Sequence, residues 1–150
     1  MSHETSPAQR AAADQVVVFF ETLSPQSVEL LATLYTPDAY FKDPFNEVQG
    51  LAQIQRIFRH MYVALYNPHF VVTGRVVDGD QCFLTWEFRF RFRRLNPKVD
   101  QTIRGGSHLQ FAPDGRIYVH RDYWDAAEEL YEKLPVLNQL MRWFKRKISH

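Results

Sequence analysis

The stretch YFKDPFNEVQG, residues 40–50, separates a helical N-terminal third of the chain from a strand-rich C-terminal half. At its centre Asp43 is followed directly by Pro44, which lacks a backbone donor and holds Asp43 in an extended conformation. A carboxylate between Phe41 and Phe45 is poorly hydrated, so its pKa is predicted to rise. Two interpretations follow. Asp43 is a general base that faces a pocket, or its carboxylate caps its own backbone in a turn.

The composition predicts one compact domain rich in aromatic side chains. The chain has 150 residues, enough for a single domain with a substantial core. Phe, Tyr and Trp make up 15% of it, which indicates an aromatic core or an aromatic-lined cavity. The formal net charge of +1 argues against a general nucleic-acid-binding protein, so no nucleic-acid partner is expected.

Neither a metal nor a cofactor is expected. The single cysteine, Cys82, excludes an intrachain disulfide and any multi-cysteine metal site. No set of His, Asp and Glu has a spacing typical of metal ligands. The N-terminal residues lack the apolar core of a signal peptide, and no stretch approaches the ~20 apolar residues of a membrane span. We therefore expect a soluble cytoplasmic protein.

Two Ser-Pro pairs mark helix starts in the N-terminal third. Ser6-Pro7 and Ser24-Pro25 each combine a capping residue with Pro at the first helical position. Apolar residues then recur at helical spacing, and Thr36-Pro37 and Asn67-Pro68 end such runs. The predicted elements are helices over residues 7–23, 26–34 and 51–65, and short strands over residues 39–42 and 47–49.

From residue 70 onward the hydrophobic period changes from 3.6 to 2. Asp78-Gly79-Asp80 and Ala112-Pro113-Asp114-Gly115 are typical hairpin turns, and Gly105-Gly106 suggests a bulge or bend. Strands are predicted over residues 70–77, 82–93, 101–111 and 116–124. The second strand has a wholly apolar face, made by Cys82, Leu84, Trp86, Phe88, Phe90 and Phe92, and a mostly charged face that includes Glu87, Arg89, Arg91 and Arg93.

Helices followed by long antiparallel strands indicate an α+β domain with helices on one face of a bent sheet. Such a sheet encloses a conical cavity, the default ligand site. A further helical segment is predicted from Asp125, with a break at Pro135. Its second part, residues 134–148, carries basic residues beside an apolar stripe. It is expected to pack on its own sheet or a partner subunit, or to lie on a membrane surface.

Several short motifs resemble the nuclear transport factor 2-like superfamily. They are residues 34–39 (LYTPDA), 41–44 (FKDP), Gly50, 111–117 (FAPDGRI) and 123–125 (YWD). The chain is most similar to the branch with ketosteroid isomerase and the SnoaL-like polyketide cyclases. The resemblance covers about residues 12–125 of a single domain spanning residues 1–150, with a C-terminal helical extension over residues 126–148.

This resemblance implies a cone-shaped α+β fold and a homodimer formed through the outer face of the sheet. It does not imply one activity, because the fold hosts isomerases, cyclases, dehydratases, epoxide hydrolases and binding modules.

The resemblance also assigns individual positions. Asp43 stands where ketosteroid isomerase has its proton-shuttling Asp before Pro. The oxyanion hole of that enzyme needs a Tyr on helix 1 and a protonated Asp on the third long strand, where this chain has Phe19 and Ser107. Without that donor pair an enolate lacks its main stabiliser. Steroid isomerisation by the same chemistry is therefore not expected, although Ser107 retains one donor.

The last strand supplies further candidates. Under strict alternation Tyr118, His120, Asp122 and Trp124 share the side that the resemblance identifies as the pocket side. The cyclases and limonene epoxide hydrolase also place an acid on this strand, so Asp122 is a candidate second carboxylate. His120 is a candidate proton relay near neutral pH.

Structural alternatives remain for both residues. Asp122 would instead form a surface salt bridge to Arg121, Arg104 or Arg89, and His120 would be a hydrogen-bonded structural histidine. The Arg-x-Asp pair of the epoxide hydrolase has no counterpart here.

The leading hypothesis is a cofactor-free acid/base enzyme that isomerises, cyclises, dehydrates or hydrolyses a small apolar or aromatic molecule. Asp43 would be the base, and Asp122 or His120 its acid partner. The alternative is a non-catalytic ligand-binding or scaffold protein of the same fold, which the missing oxyanion donors favour. The side chains expected to bind the substrate are Phe19, Tyr40, Phe58, Trp86, Phe88, Ser107, Tyr118, Tyr123 and Trp124.

Overall fold

The computed structural model describes residues 4–94 and 97–131. The helix predicted beyond Pro135, and with it most of the C-terminal extension, lies outside these residues. The elements, in chain order, are α1 (Pro7–Glu21), a 3₁₀ segment (Pro25–Thr33), β1 (Tyr35–Lys42), β2 (Glu47–Gln49), α2 (Leu51–Ala64), β3 (Leu65–Asp78), β4 (Gln81–Phe92), β5 (Gln101–Phe111), β6 (Ile117–Tyr123) and a π-helical turn (Ala127–Tyr131).

The six strands form one sheet in the order β2-β1-β6-β5-β4-β3. All neighbouring pairs are antiparallel except β1 and β6, which run parallel. In this parallel pair Lys42 lies opposite Arg121. The next residues along the two strands are Asp43 and Asp122, so the sheet topology brings these two carboxylates to the same level.

The helices cover one face of the curved sheet, as expected for an α+β cone. α1 starts at a capping box in which Ser6 and Gln9 satisfy each other's backbone donors. Its buried face, including Val16 and Phe20, packs on the sheet. From the sheet, alternate residues of β4 such as Leu84, Trp86 and Phe90 are buried, as the period-2 pattern predicts.

Two strands begin earlier than the sequence pattern predicts. β3 starts at Leu65 rather than near Phe70, and its pairing with β4 is irregular between Tyr66 and His69. Asn67 has a φ of 49° at this irregularity. Pro68 is tolerated there because β3 is an edge strand, where a missing donor breaks no ladder. β1 likewise starts at Tyr35, four residues before its predicted start.

Candidate functional site

A cavity of about 350 Å³ lies between the helices and the inner face of the sheet. This volume is within the range of small-molecule sites. Most of its wall is apolar, and its polar residues are Asp43, Asn46, His60 and Asp122. The apolar lining is Phe41, Phe45, Ile57, Phe58, Met61, Ala64, Leu65, Phe70, Trp86, Phe88, Phe90, Phe92, Ile103, Trp124 and Leu130.

A smaller inner void of about 20 Å³ adjoins the main cavity and shares Phe58, Phe70, Trp86 and Asp122 with it. This is room for roughly one water molecule. Ser107 and His120 line the void beside Asp122. Asp122 therefore stands where an apolar cavity meets a buried polar cluster.

Asp122 is held by two neighbours through the same oxygen. Ser107 Oγ donates to Asp122 Oδ1 at 2.5 Å, and His120 Nε2 lies 2.6 Å from that oxygen. Within residues 4–94 and 97–131, Oδ2 of Asp122 has no hydrogen-bond partner. The side chain of Asp122 is 16% exposed. Both contacts are made through Oδ1, so neither neighbour engages Oδ2.

The anchors are themselves held from behind. Trp86 Nε1 donates to Ser107 Oγ at 2.9 Å, and the hydroxyl of Tyr35 lies 2.6 Å from His120 Nδ1. Both ring nitrogens of His120 are thus engaged, and the residue is only 2% exposed. Phe20 and Phe41 pack against the imidazole. His120 is therefore held between Tyr35 and Asp122, and it lines the inner void but not the main cavity.

Asp43 closes the turn after β1 and also borders the cavity. Its Oδ1 accepts from the backbone N–H groups of Phe45 at 2.8 Å and Asn46 at 2.6 Å. Burial raises the pKa of Asp43 above its ordinary value. The hydrogen bonds from Phe45 and Asn46 oppose this rise, and the charge of Asp122 adds to it. The two carboxyls are therefore electrostatically coupled across one cavity.

The structure brings together only part of the predicted site. Phe58, Trp86, Phe88 and Trp124 line the main cavity beside Asp43 and Asp122. Ser107 and His120 line the inner void instead. Outside both linings lie Phe19, Tyr40, Tyr118 and Tyr123.

The strict alternation that placed Tyr118 on the pocket side is wrong at the start of β6. Gln110 pairs with Val119 and Phe111 with Ile117, so Tyr118 is an extra, unpaired residue of a β-bulge. The bulge changes which residues of β6 point to the inner face of the sheet. Ile117 and His120 are buried, whereas Tyr118 is 39% exposed. Its hydroxyl donates to Gln110. Beyond the bulge the alternation is regular, which leaves Tyr123 on the outer face under Arg121.

The predictions that Phe19 and Tyr40 face the cavity are also wrong, because neither side chain lines it. On α1 it is Phe20, not Phe19, that reaches the inner void and contacts His120. Tyr40 extends away from the cavity, and its hydroxyl donates to Glu47 on the neighbouring strand β2. Among the described residues Asp122 forms none of the expected surface salt bridges. Arg104 pairs with Glu129, Arg89 pairs with Glu87, and Arg121 lies over the ring of Tyr123.

Sequence reasoning missed Tyr35 and His60. Tyr35 is fully buried, and its partner His120 is 85 residues away in the chain, so no local pattern could indicate the contact. His60 is an exposed residue of α2 that nevertheless borders the cavity.

Two further findings concern only the part of the chain that the structure describes. No three His, Cys, Asp or Glu side chains come together there as a metal site requires. No helix within those residues is both long and apolar enough to cross a membrane.

Fold and cavity together define a cone of the nuclear transport factor 2-like type. The sequence model of the SnoaL-like domain matches residues 16–120. The chain belongs to the SnoaL-like domain family. None of the curated proteins compared with the chain matches it.

Solved structures with three different names share this fold. A SnoaL-like polyketide cyclase from Jannaschia sp. CCS1 has a TM-score of 0.68 at 16% identity, covering 84% of this chain and 93% of its own. An LEH-like epoxide hydrolase of M. tuberculosis has a TM-score of 0.66 at 14% identity, covering 93% and 96%. A ketosteroid isomerase from Kribbella flavida has a TM-score of 0.59 at 22% identity, covering 79% and 78%. At these identities the likeness shows the fold alone.

Proposed function

We propose that this protein is a cofactor-independent acid/base enzyme acting on a small apolar or aromatic molecule. The observation that carries the proposal is Oδ2 of Asp122. It is the unengaged oxygen of an anchored carboxylate, and its residue borders an apolar cavity of about 350 Å³. A carboxylate whose position is fixed before the ligand arrives is suited to abstract or deliver a proton.

Asp122 is the base in this proposal, and Asp43 is its proton-carrying partner. This reverses the roles expected from the sequence. Ser107 donates to Asp122 Oδ1, and His120 Nε2 lies within hydrogen-bond distance of the same oxygen, an arrangement that suits a carboxylate acting as acceptor. Burial raises the pKa of Asp43, which favours its protonated form. Two carboxyls that border one cavity in different surroundings are a recurring acid–base arrangement.

The reaction classes that suit this site are those that general acid/base catalysis can promote without a cofactor: enolisation, aldol-type cyclisation, dehydration and epoxide hydrolysis. Names among the structural neighbours, cyclase, epoxide hydrolase and isomerase, support this range without choosing within it. The apolar lining supports a ligand with an aromatic or alicyclic body.

The test uses three families of probe with the full chain: aryl and cyclic ketones in D₂O, β-hydroxy ketones, and aryl epoxides. Mass spectrometry follows deuterium uptake, loss of water and diol formation in turn. Asp122→Asn keeps the size and the acceptor oxygen of the side chain but removes its proton affinity. We expect it to lower the rate about 10²- to 10⁴-fold while calorimetric ligand affinity is retained.

The matched control is Asp78→Asn, the same substitution at an exposed hairpin residue outside the cavity. It should leave rate and affinity unchanged. Equal rates in the wild type and Asp122→Asn would remove Asp122 from the chemistry. Ligand binding without turnover in any probe family would favour the second candidate.

That second candidate is a non-catalytic ligand-binding protein of the same fold. It is favoured by the turn at Asp43, whose Oδ1 is occupied by two backbone donors and the Asn46 side chain. It is also favoured by Phe20, which lines the inner void from α1. The side chain of phenylalanine has no hydrogen-bond donor with which to stabilise a developing negative charge.

A further inference from the structure

Five buried or half-buried side chains form one continuous hydrogen-bond chain beneath the cavity. In order they are Trp86, Ser107, Asp122, His120 and Tyr35. They come from β4, β5, β6 and β1, so the chain crosses the whole centre of the sheet. Because each link has one donor and one acceptor, the directions of the links decide where protons sit on Asp122.

The direction is fixed at the tryptophan end. An indole nitrogen can only donate, so Ser107 Oγ accepts from Trp86 Nε1. The proton of the Ser107 hydroxyl is then directed to Asp122 Oδ1, 2.5 Å away. Oδ1 therefore accepts a hydrogen bond from Ser107 and does not donate one in return.

The direction is also fixed at the tyrosine end. Among the described residues, the hydroxyl of fully buried Tyr35 has His120 Nδ1 as its one hydrogen-bond partner, at 2.6 Å. If that hydroxyl accepted instead of donating, its own proton would be buried without a partner. Burial and the charge of Asp122 both raise the pKa of Tyr35, so the phenol keeps its proton. Tyr35 donates, and Nδ1 accepts.

A ring nitrogen that accepts carries no proton, so the single proton of neutral His120 lies on Nε2. That proton points at Asp122 Oδ1, 2.6 Å away. The two halves of the chain thus converge on the same oxygen.

We propose that Tyr35 is a positioning residue which holds His120 as the Nε2–H tautomer and thereby leaves Oδ2 as the proton-exchanging atom of Asp122. This inference rests on the proposed function only in taking Asp122 as the reacting group. Without the phenol, either imidazole tautomer could form. In the Nδ1–H form, Nε2 would present a lone pair to Oδ1. The two acceptors would then repel each other, or Oδ1 would have to take up a proton from solvent.

A purely structural role for Tyr35 predicts something different. Tyr35 would then fill space and satisfy one hydrogen bond. Its loss would lower the stability of the fold without changing the tautomer of His120 or the rate at which the bound ligand is turned over. The titratable groups hydrogen-bonded to His120 are Tyr35 and Asp122 alone among the described residues, with Phe20 and Phe41 on its ring faces. The tautomer therefore reports directly on Tyr35.

The first measurement is the ¹⁵N spectrum of the His120 ring in the full-length labelled protein, assigned with His120→Gln. We expect a protonated Nε2 and an unprotonated Nδ1 in the wild type. In Tyr35→Phe we expect a mixture of tautomers. A wild-type ring with its proton on Nδ1, or doubly protonated at neutral pH, would overturn the proposal.

The second measurement is turnover of whichever probe family the wild type accepts. Tyr35→Phe should lower kcat about 10- to 100-fold, the range for partners that orient a metal-bound histidine, with KM unchanged. In His120→Gln the side-chain amide donates to Asp122 and cannot tautomerise. Adding Tyr35→Phe to it should change kcat by less than about twofold, whereas independent effects would multiply.

Tyr62→Phe is the matched control. The hydroxyl of Tyr62 is buried without a hydrogen-bond partner among the described residues, and Tyr62 does not line the cavity. The Tyr62→Phe variant should have the same His120 spectrum and the same kcat as the wild type. A wild-type tautomer and wild-type kcat in Tyr35→Phe would refute the positioning role. If no probe is turned over, the proposed function fails, while the ¹⁵N measurement still decides the role of Tyr35.

Discussion

The carboxyl group of Asp43 closes a turn and borders the cavity at the same time. Its hydrogen bonds to Phe45 and Asn46 are those of an aspartate that caps its own backbone. Its burial beside aromatic rings raises its pKa. Backbone donors alone would lower the pKa, so desolvation is the stronger of the two opposing effects here.

The raised pKa of Asp43 predicts a specific pH dependence of stability. The folded protein binds this proton more tightly than the unfolded chain does, because burial raises the folded-state pKa above its ordinary value of 3.8. The resulting stabilisation is complete below pH 3.8 and is lost as the pH rises through the folded-state pKa. Relative to Asp43→Asn, the wild-type free energy of unfolding should therefore fall across this window.

Urea denaturation between about pH 3 and about pH 7 measures this difference. Asparagine can form the same turn, so Asp43→Asn isolates the titration from the turn geometry. Asp78→Asn, at the exposed hairpin, provides the matched carboxylate control. Parallel curves for the wild type and Asp43→Asn across the window would contradict a raised pKa.

At the scale of an element, two adjacent glycines let β5 pass between bulky rings on both faces of the sheet. A Cβ on Gly105 would lie 2.7 Å from the ring of Trp86 and 3.0 Å from Cβ of Trp124. A Cβ on Gly106 would lie 2.7 Å from the ring of Phe83 on the outer face. Pairing with β4 and β6 stays regular here, so the glycines make room for side chains and form no bulge.

These glycines supply a matched pair of substitutions. The added methyl group of Gly105→Ala would displace Trp86 and Trp124, which both line the cavity. We expect ligand affinity to fall together with a stability loss of about 1–3 kcal/mol, the usual cost of overpacking. Gly106→Ala should cost comparable stability but leave the affinity unchanged, because it acts on Phe83. Calorimetry of binding and of unfolding would check both, and equal affinities in the two variants would contradict this assignment of faces.

At the scale of the whole molecule, the outer face of the sheet carries exposed apolar residues among paired charges. Val76 is 68% exposed and lies opposite Phe83 in the ladder of β3 and β4. Tyr123 is 47% exposed on the same face. Further along β4, Arg89 and Glu87 form an ion pair within the chain. An apolar face of this kind suits contact with a second copy around a two-fold axis.

A homodimer through this face remains a prediction, and one substitution tests it. Val76→Glu places a charge on this face of each copy, so a dimer formed through it should dissociate to monomers in sedimentation velocity. Val63→Glu is the control, because Val63 is 72% exposed on α2, away from the sheet. A monomeric wild type, or equal effects of the two variants, would count against this interface.

Local pattern determined the element types and the α+β class of this protein. Hydrophobic period and turn chemistry depend on neighbouring residues, so the buried face of β4 and the hairpin turns before β4 and before β6 could be predicted from the chain alone. The motif around Asp43 indicated both its turn and its poor hydration for the same reason.

Tertiary structure alone decided which groups meet Asp122. The contact between Tyr35 and His120 spans 85 residues, and the parallel pairing of β1 with β6 sets Asp43 level with Asp122. The bulge at Tyr118 depends on how β6 pairs with β5, and it overturned the strict alternation. Such contacts arise from the registers of distant strands, which no local pattern encodes.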